Sequence, residues 1–308
     1  MDYIEIMKIG LLALDSKIKN IAIEKIRLYH QTKNDVVEDF FPLNKYDIVY
    51  ISKIFNFTPN YEYAINSKKI IIGGSGFDIK VKLPKEIEKM KPKINYGFIT
   101  RGCIRNCEFC IVPSKEGKIY LESENLFYDF WDKKSKEITI MDNNILAMPD
   151  IFFKTCKELK KQKIKVDFNQ GLDFRLLTDD ICNELKSIKH KEYHFAFDYI
   201  AYKNKIIESI NLLKKYGIKR NTWYIYCSEK NIFQDCLERA NILKSNNQNG
   251  FIQRDINIYY DKRYIALAQW VNFHSWFQKI SFFQFILRNN YFKYFSKEEH
   301  KYIKDNQI

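Results

Sequence analysis

Short apolar segments alternate with amphipathic segments through most of this 308-residue chain. Such alternation predicts βαβ units, in which helices join parallel strands. The segments of the amino-terminal part are, in order, a strand at 7–15, a helix at 16–33 and strands at 35–41, 47–55 and 68–74. We therefore expect a small Rossmann-like α/β domain over residues 1–80.

A second alternating series predicts an incomplete barrel over residues 96–262. A lysine-rich segment with two prolines, residues 81–95, is the predicted linker before it. The predicted strands are 96–100, 137–142, 164–169, 193–198, 221–226 and 256–260, with helices such as 150–163 and 179–189 between them. We expect an α/β fold with a partial (β/α)6 TIM-type barrel, whose active site would lie at the carboxyl ends of the strands.

The last segment, residues 263–308, is aromatic and lacks the alternation of a barrel. Trp270, Phe273, Phe277 and Ile280 recur at helical spacing. This pattern predicts a helical carboxyl-terminal cap and favours a packing face over a binding surface.

The net charge of +13 has two interpretations. Clustered cations gain affinity for nucleic acid by releasing counterions from the phosphates. Here the lysines are spread along the chain and accompany many Ile, Asn, Tyr and Phe residues, as expected from an A·T-rich genome. We favour the compositional interpretation and keep a polyanionic partner as the alternative.

The sequence shows no apolar run of about 18 residues, the length that a membrane span needs. Residues 1–17 lack the basic region and cleavage site of an export signal. We expect a soluble cytoplasmic protein without a membrane partner. The odd number of cysteines, seven, then favours metal binding or catalysis over a disulfide framework.

Three cysteines follow the predicted strand 96–100 in the spacing C-x3-C-x2-C, at Cys103, Cys107 and Cys110. Iron-sulfur clusters usually have four thiolate ligands, so a fourth ligand is missing locally. A zinc site would also need a fourth ligand, and all five histidines are remote in sequence. Three buried cysteines without a ligand would be unusual on a polar loop. Both alternatives are less favoured than a cluster.

The segment YGFITRGCIRNCEFCIVPSKEGK resembles the cysteine motif of the radical S-adenosylmethionine (AdoMet) superfamily. The resemblance implies a [4Fe-4S] cluster on the three cysteines, with AdoMet chelating the fourth iron through its amino and carboxylate groups. It also implies an electron donor such as flavodoxin or ferredoxin, and reductive cleavage of AdoMet to a 5′-deoxyadenosyl radical. Phe109 stands where the family usually has an aromatic residue beside the adenine.

The local sequence is most similar to the branch that contains methylthiotransferases and cobalamin-associated enzymes, and to uncharacterised bacterial and phage members. The similarity covers roughly residues 95–260, and residues 7–80 more loosely. Two departures limit it. Residues 1–102 contain no cysteine for a second cluster, and RLYHQTK lacks the Asp and Gly of the cobalamin motif D-x-H-x-x-G. We do not expect cobalamin.

Further candidates follow the predicted strands. Asp142, Asn143 and Asn144 stand where the superfamily receives the AdoMet amino group, and their oxygens could accept its hydrogen bonds. An Asx turn that caps the next helix is the alternative. Gln170 and Arg175 follow the next strand, where Arg175 could bind the AdoMet carboxylate or a substrate anion, or pair with Asp173.

The strand 193–198 ends at Asp198, a candidate partner for ribose hydroxyls or substrate. His194 is expected to be buried with its hydrogen bonds satisfied, in preference to a catalytic role. A substrate-radical role at Cys227 is the least favoured idea, and the other cysteines, Cys156, Cys182 and Cys236, are expected in the core. The loop Gly73–Gly76 is interpreted as a tight turn in preference to a phosphate-binding loop.

The predicted function is a radical AdoMet enzyme that modifies an unknown substrate, with a nucleic acid or protein ranked slightly above a small metabolite. The alternative is a non-catalytic iron-sulfur protein that regulates or binds nucleic acid. AdoMet cleavage would distinguish the two.

Overall fold

The structure, a computed structural model, describes residues 6–15 and 19–308. Two compact units make up the chain, the first ending at Ser135 and the second spanning Lys136–Ile308. Residues 1–5, from the segment used to argue against an export signal, and residues 16–18, the start of the predicted first helix, lie outside the described residues. The domain boundaries near 80, 95 and 262 stay predictions.

The first unit contains a four-stranded parallel sheet of order β2-β1-β3-β4. Its strands are β1 (Lys8–Ala13), β2 (Val36–Asp39), β3 (Tyr46–Ser52) and β4 (Ser67–Gly73). Helix α1 (Ile21–Thr32) begins after Asn20, whose side chain accepts hydrogen bonds from the amides of Ala22 and Ile23. Apolar residues of α1 pack on β1. The four predicted strands and their parallel arrangement are confirmed.

The remainder of the first unit is mostly loop. It contains α2 (Lys85–Glu88), α3 (Val112–Lys115) and the two-residue strands β5 (Tyr96–Gly97), β6 (Thr100–Arg101) and β7 (Tyr120–Leu121). The predicted strand 96–100 is therefore interrupted. The reason is that Thr100 and Arg101 pair antiparallel with β7 and form the base of a long loop.

The second unit has two groups of parallel strands, β10-β9-β8 and β11-β12-β13. The strands are β8 (Glu137–Ile140), β9 (Lys165–Phe168), β10 (Lys189–His190), β11 (His194–Ala196), β12 (Thr222–Cys227) and β13 (Asn249–Arg254). The intervening helices are α4 (Pro149–Gln162), α5 (Asp179–Ser187), α6 (Lys203–Lys215) and α7 (Phe233–Ser245). This confirms an α/β fold with parallel sheets, and no closed barrel is found among residues 6–15 and 19–308.

The prediction of a strand at 256–260 is wrong. Residues Ile256–Ile258 form a 3-10 turn because the Asp255 carboxylate accepts a hydrogen bond from the Asn257 amide. The actual strand, β13, begins in an Asn-Gly sequence that is typical of turns. Gly250 is required there, since a Cβ atom would lie 2.6 Å from Cγ1 of Val271.

Four helices form the carboxyl-terminal part: α8 (Lys262–Asn272), α9 (His274–Lys279), α10 (Phe282–Arg288) and α11 (Lys297–Asp305). Trp270 and Phe277 are fully buried, as the packing interpretation predicts. Phe273 is 57% exposed, so the prediction that it belongs to the same packing face is wrong. The chain leaves helical geometry at this residue, between α8 and α9.

None of the helices in the described part of the chain combines the length and apolar character required to cross a membrane.

Candidate functional site

The three clustered cysteines lie on a loop of the first unit, residues 102–119, which we call the cysteine loop. Strands β6 and β7 join its two ends, pairing Thr100 with Leu121 and Arg101 with Tyr120. The Glu116 carboxylate strengthens this closure. It accepts a hydrogen bond from Nη2 of Arg101 at 2.5 Å and one from the Gly102 amide at 2.9 Å. The ends of the loop are thus fixed by backbone pairing and a charge-assisted contact.

Glycine is required at the first position of this loop. Gly102 has φ +76°, and a Cβ atom there would lie 2.3 Å from the Lys118 carbonyl oxygen. Gly117 has the same φ, but a Cβ atom would meet no atom within 4 Å. Close packing of two backbone segments therefore demands glycine at 102, whereas only the backbone conformation favours it at 117.

Cys103, Cys107 and Cys110 are all half-buried. The Arg105 amide donates to Sγ of Cys103 at 3.3 Å, and the Cys110 amide donates to the Cys107 carbonyl oxygen at 3.0 Å. Amide hydrogen bonds to sulfur tune iron-sulfur clusters by stabilising negative charge on the ligand. Phe109 is 38% exposed on the same loop.

The donor set fits an iron-sulfur cluster in chemical type, since it offers three half-buried cysteines on one short loop, with an amide already directed at the sulfur of Cys103. The present side-chain positions do not gather them: over residues 6–15 and 19–308, no group of three His, Cys, Asp or Glu side chains has a geometry that could hold a metal ion. Loading would require the cysteine side chains to change position.

One cation, Arg101, precedes the cysteine loop, and another, Lys115, lies within it. The Arg101 guanidinium lies 4.2 Å from the centroid of the Phe98 ring, and Nζ of Lys115 donates to Oγ of Ser75 at 2.9 Å. Partial desolvation and the Arg101 charge lower the pKa of Lys115. The contact with Ser75 places the cysteine loop against the glycine-rich loop that follows β4.

The glycines of that second loop have a packing explanation. A Cβ atom on Gly74, which has φ +99°, would lie 2.3 Å from the Lys53 carbonyl oxygen. One on Gly76 would lie 2.6 Å from the Phe55 carbonyl oxygen. These contacts with the segment after β3 account for a tight turn at Gly73–Gly76.

In the second unit, polar side chains meet beyond the ends of β8 and β9. The Asp173 carboxylate accepts hydrogen bonds from Nδ2 of Asn144 at 3.2 Å and from Nε of Arg175 at 2.6 Å. The pairing of Arg175 with Asp173 that the sequence left open is therefore present. Asn144 directs its amide to Asp173, without a side-chain hydrogen bond that caps the following 3-10 turn. Asp142 is also buried, Asn143 is half-buried, and Gln170 is exposed.

Asp198 lies half-buried beyond the end of β11. Burial raises the pKa of its carboxyl to about 6, although the positive charges of Arg239 and Arg175 and an amide hydrogen bond from Tyr226 oppose the shift. A carboxyl in this range changes its charge near neutral pH, which suits a group that exchanges a proton or a hydrogen bond with a ligand.

Arg239, which the sequence analysis missed, organises this region. It is fully buried on α7, and its Nη1 donates to the carbonyl oxygens of Phe197 at 2.7 Å, Asp198 at 3.0 Å and Tyr226 at 3.0 Å. The sequence signal that could have revealed Arg239 was its position among the apolar core residues of an amphipathic helix. Arg239 joins the ends of β11 and β12 and so fixes the backbone that carries Asp198.

The prediction that His194 is buried with its hydrogen bonds satisfied is wrong. His194 is half-buried and stacks on Tyr224 with ring centroids 5.5 Å apart, and its Nδ1 is buried without a hydrogen-bond partner among the described residues. Cys156, Cys182 and Cys236 are fully buried, as predicted, and so is Cys227. The Arg239 guanidinium donates to Sγ of Cys236 at 3.1 Å, and the Cys227 thiol donates to the Ile225 carbonyl oxygen at 3.8 Å. The neighbouring Cys227 thiol and the Arg239 charge hold the pKa of Cys236 below its ordinary value despite burial.

No protein-family model matches the chain. No curated protein is significantly similar to it.

Proposed function

We propose that this chain is a radical AdoMet enzyme that binds one [4Fe-4S] cluster through Cys103, Cys107 and Cys110. The observation that carries the proposal is the C-x3-C-x2-C spacing of three half-buried cysteines on a loop whose ends are fixed. Three thiolates leave one iron of a four-iron cluster available to another ligand. This vacancy distinguishes the proposed enzyme from an electron carrier with four protein ligands.

Each feature of the cysteine loop then has a role. The cysteines would ligate three irons, and the Arg105 amide would stabilise charge on the Cys103 sulfur. Glu116 would hold the base of the loop while the cluster is loaded. Phe109 would contact the adenine of AdoMet. When bound, the cluster would supply one electron to AdoMet and so generate a 5′-deoxyadenosyl radical.

The other proposed contacts rest on the position of their residues after strands β8, β9 and β11. Asp142, Asn143, Asn144 and Gln170 would accept hydrogen bonds from the polar groups of AdoMet. Arg175 would bind a carboxylate by exchanging part of its contact with Asp173, and Asp198 would bind hydroxyl groups of the ribose or substrate. These roles belong to the proposal, as do a partial barrel, a Rossmann-like first domain and a cytoplasmic location. We propose flavodoxin or ferredoxin as the electron donor and no cobalamin.

Anaerobic reconstitution with iron and sulfide tests this function. We expect about four iron and four sulfide per chain, and 5′-deoxyadenosine after addition of dithionite and AdoMet. The Cys107→Ala variant should lose the product. Cys182→Ala, which removes a thiol from the buried face of α5, should retain it.

Equal 5′-deoxyadenosine yields from the wild type and Cys107→Ala would refute the proposal. A stable cluster that never cleaves AdoMet would favour the non-catalytic alternative instead.

A further inference from the structure

The segment after β3, residues 53–63, exposes an unusual number of aromatic rings. The exposed fractions are 48% for Phe55, 73% for Phe57 and 79% for Tyr63. The rings of Phe55 and Phe57 stack with centroids 5.2 Å apart and an interplanar angle of 14°. We call residues 53–63 the aromatic loop. Exposed clusters of apolar groups usually mark a binding surface, so the aromatic loop is a candidate binding surface.

The aromatic loop is held firmly at its start. The Lys53 amide donates to the Gly73 carbonyl oxygen at 3.1 Å, and the Gly76 amide donates to the Lys53 carbonyl oxygen at 2.8 Å. The Asp15 carboxylate accepts a hydrogen bond from the Ile54 amide at 3.0 Å. Nζ of Lys53 crosses the loop to Oδ1 of Asn60 at 2.7 Å. The exposed rings are thus presented on an ordered backbone, so little conformational entropy is lost on binding.

The same glycine-rich loop that contacts the aromatic loop also contacts the cysteine loop. Gly76 packs on the Phe55 backbone, and Ser75 accepts the hydrogen bond from Lys115. These contacts join three loops into one continuous surface of the first unit. The loops are residues 53–63, 73–82 and 102–119. Together they carry six Lys or Arg residues against four Asp or Glu residues. The Glu116 carboxylate is committed to Arg101 and Gly102, which leaves the surface positive.

Flat exposed rings beside cations match single-stranded nucleic acid better than other partners. Unpaired bases stack on aromatic side chains in any sequence, with about 1–3 kcal/mol per base, while cations contact the phosphates. A duplex would hide the base faces that these rings could stack against. An apolar protein surface would gain nothing from the surrounding positive charge.

We propose that the aromatic loop binds single-stranded nucleic acid by stacking bases on Phe55 and Phe57, with Lys115 contacting phosphate, and that a nucleic acid is the enzyme's substrate. The second clause rests on the proposed radical AdoMet function. The first does not, because binding requires neither the cluster nor AdoMet.

Fluorescence anisotropy of the full chain with a labelled strand of about 20 nucleotides tests the binding, using RNA and DNA and the same sequences annealed to their complements. We expect at least one single strand to bind about 10-fold more tightly than its duplex. The double variant F55A/F57A should weaken that binding by about 10-fold or more, because it removes the stacking platform. The matched control is Tyr260→Ala, which removes an 82% exposed ring from the second unit and should leave the affinity within about twofold.

The variant F55Y/F57Y keeps both aromatic faces and should restore the affinity, which separates stacking from a folding defect. The inference is overturned if single strand and duplex bind equally, if F55A/F57A binds like the Tyr260→Ala control, or if neither RNA nor DNA binds.

Two further measurements separate this inference from the proposed function. Without nucleic acid, F55A/F57A should form 5′-deoxyadenosine at the wild-type rate, and Cys107→Ala should still bind the strand. If the wild-type protein cleaves AdoMet but does not bind single-stranded nucleic acid, only the nucleic-acid inference is refuted. Strand binding without any AdoMet cleavage would remove the enzymatic function and leave a nucleic-acid-binding protein.

Discussion

The cysteine loop of the first unit and the strand ends around Arg239 in the second unit are built in opposite ways. In the cysteine loop, pairing and one carboxylate fix the two ends, while the thiols between them remain half-buried. Around Arg239, a fully buried guanidinium binds three carbonyl oxygens of the strand ends directly. Under the proposed function, the cysteine side chains would have to change position to bind the cluster, whereas Asp198 already lies on a backbone that Arg239 holds in place.

The difference predicts that the second unit is the more sensitive to loss of a single side chain. The Arg239→Met variant keeps the length of the side chain but leaves three buried carbonyl oxygens without a donor. We expect a loss of about 4 kcal/mol in the free energy of unfolding, measured by urea denaturation. The exposed Arg220→Ala should change it by less than about 0.5 kcal/mol. Similar values for the two variants would show that Arg239 does not organise the strand ends.

The closing contact of the cysteine loop predicts the next largest effect. Gly102→Ala should cost about 3 kcal/mol, because it adds a contact with the Lys118 carbonyl oxygen to an unfavourable backbone conformation. Gly117→Ala is matched in φ but meets open space, and should cost about 1 kcal/mol. Urea denaturation of both variants measures the difference. Equal losses would mean that the loop ends are not tightly packed.

The pH dependence of stability sharpens the comparison at Asp198. Burial raises the pKa of this carboxyl from 3.8 to about 6, so the folded state binds its proton more tightly than the unfolded state does. Ionisation therefore costs stability as the pH rises from about 4 to about 6, and the full cost, about 3 kcal/mol, persists above that range.

Asp198→Asn should remove this cost, stabilising the protein by about 3 kcal/mol at pH 8 and by much less at pH 4.5. Urea denaturation at both pH values provides the measurement. The exposed Asp305→Asn, measured in parallel, controls for the general effect of replacing Asp with Asn. A gain that is equal at both pH values would contradict the raised pKa.

The smallest effect is expected from Glu116→Gln, which preserves the shape of the side chain but removes its charge. Weaker hydrogen bonds to Arg101 and Gly102 should cost about 1 kcal/mol. The iron-loaded variant should also release iron to a chelator faster than the wild type. Glu124→Gln, an exposed change in the same unit, should alter neither quantity. An unchanged iron-release rate in Glu116→Gln would show that the base of the loop does not restrain the thiols.

The same contrast explains how far the sequence could be read. Parallel strands, helices α4 and α5 and the cysteine motif depend on local periodicity and spacing, so they were predictable. The role of Arg239 depends on carbonyl groups 13 to 42 residues away, and no local pattern encodes those contacts. Strand β13 was missed because its Asn-Gly start resembles a turn, while packing against Val271 demands that glycine. The interruption of the strand predicted at 96–100 likewise follows from a return segment, β7, that is only two residues long.

The vacancy at the fourth iron is the central claim, and electron paramagnetic resonance of the reduced, reconstituted protein tests it most directly. Addition of AdoMet should change the g-values of the cluster signal, because its amino and carboxylate groups would bind the iron that no cysteine holds. A signal that is identical with and without saturating AdoMet would contradict the account.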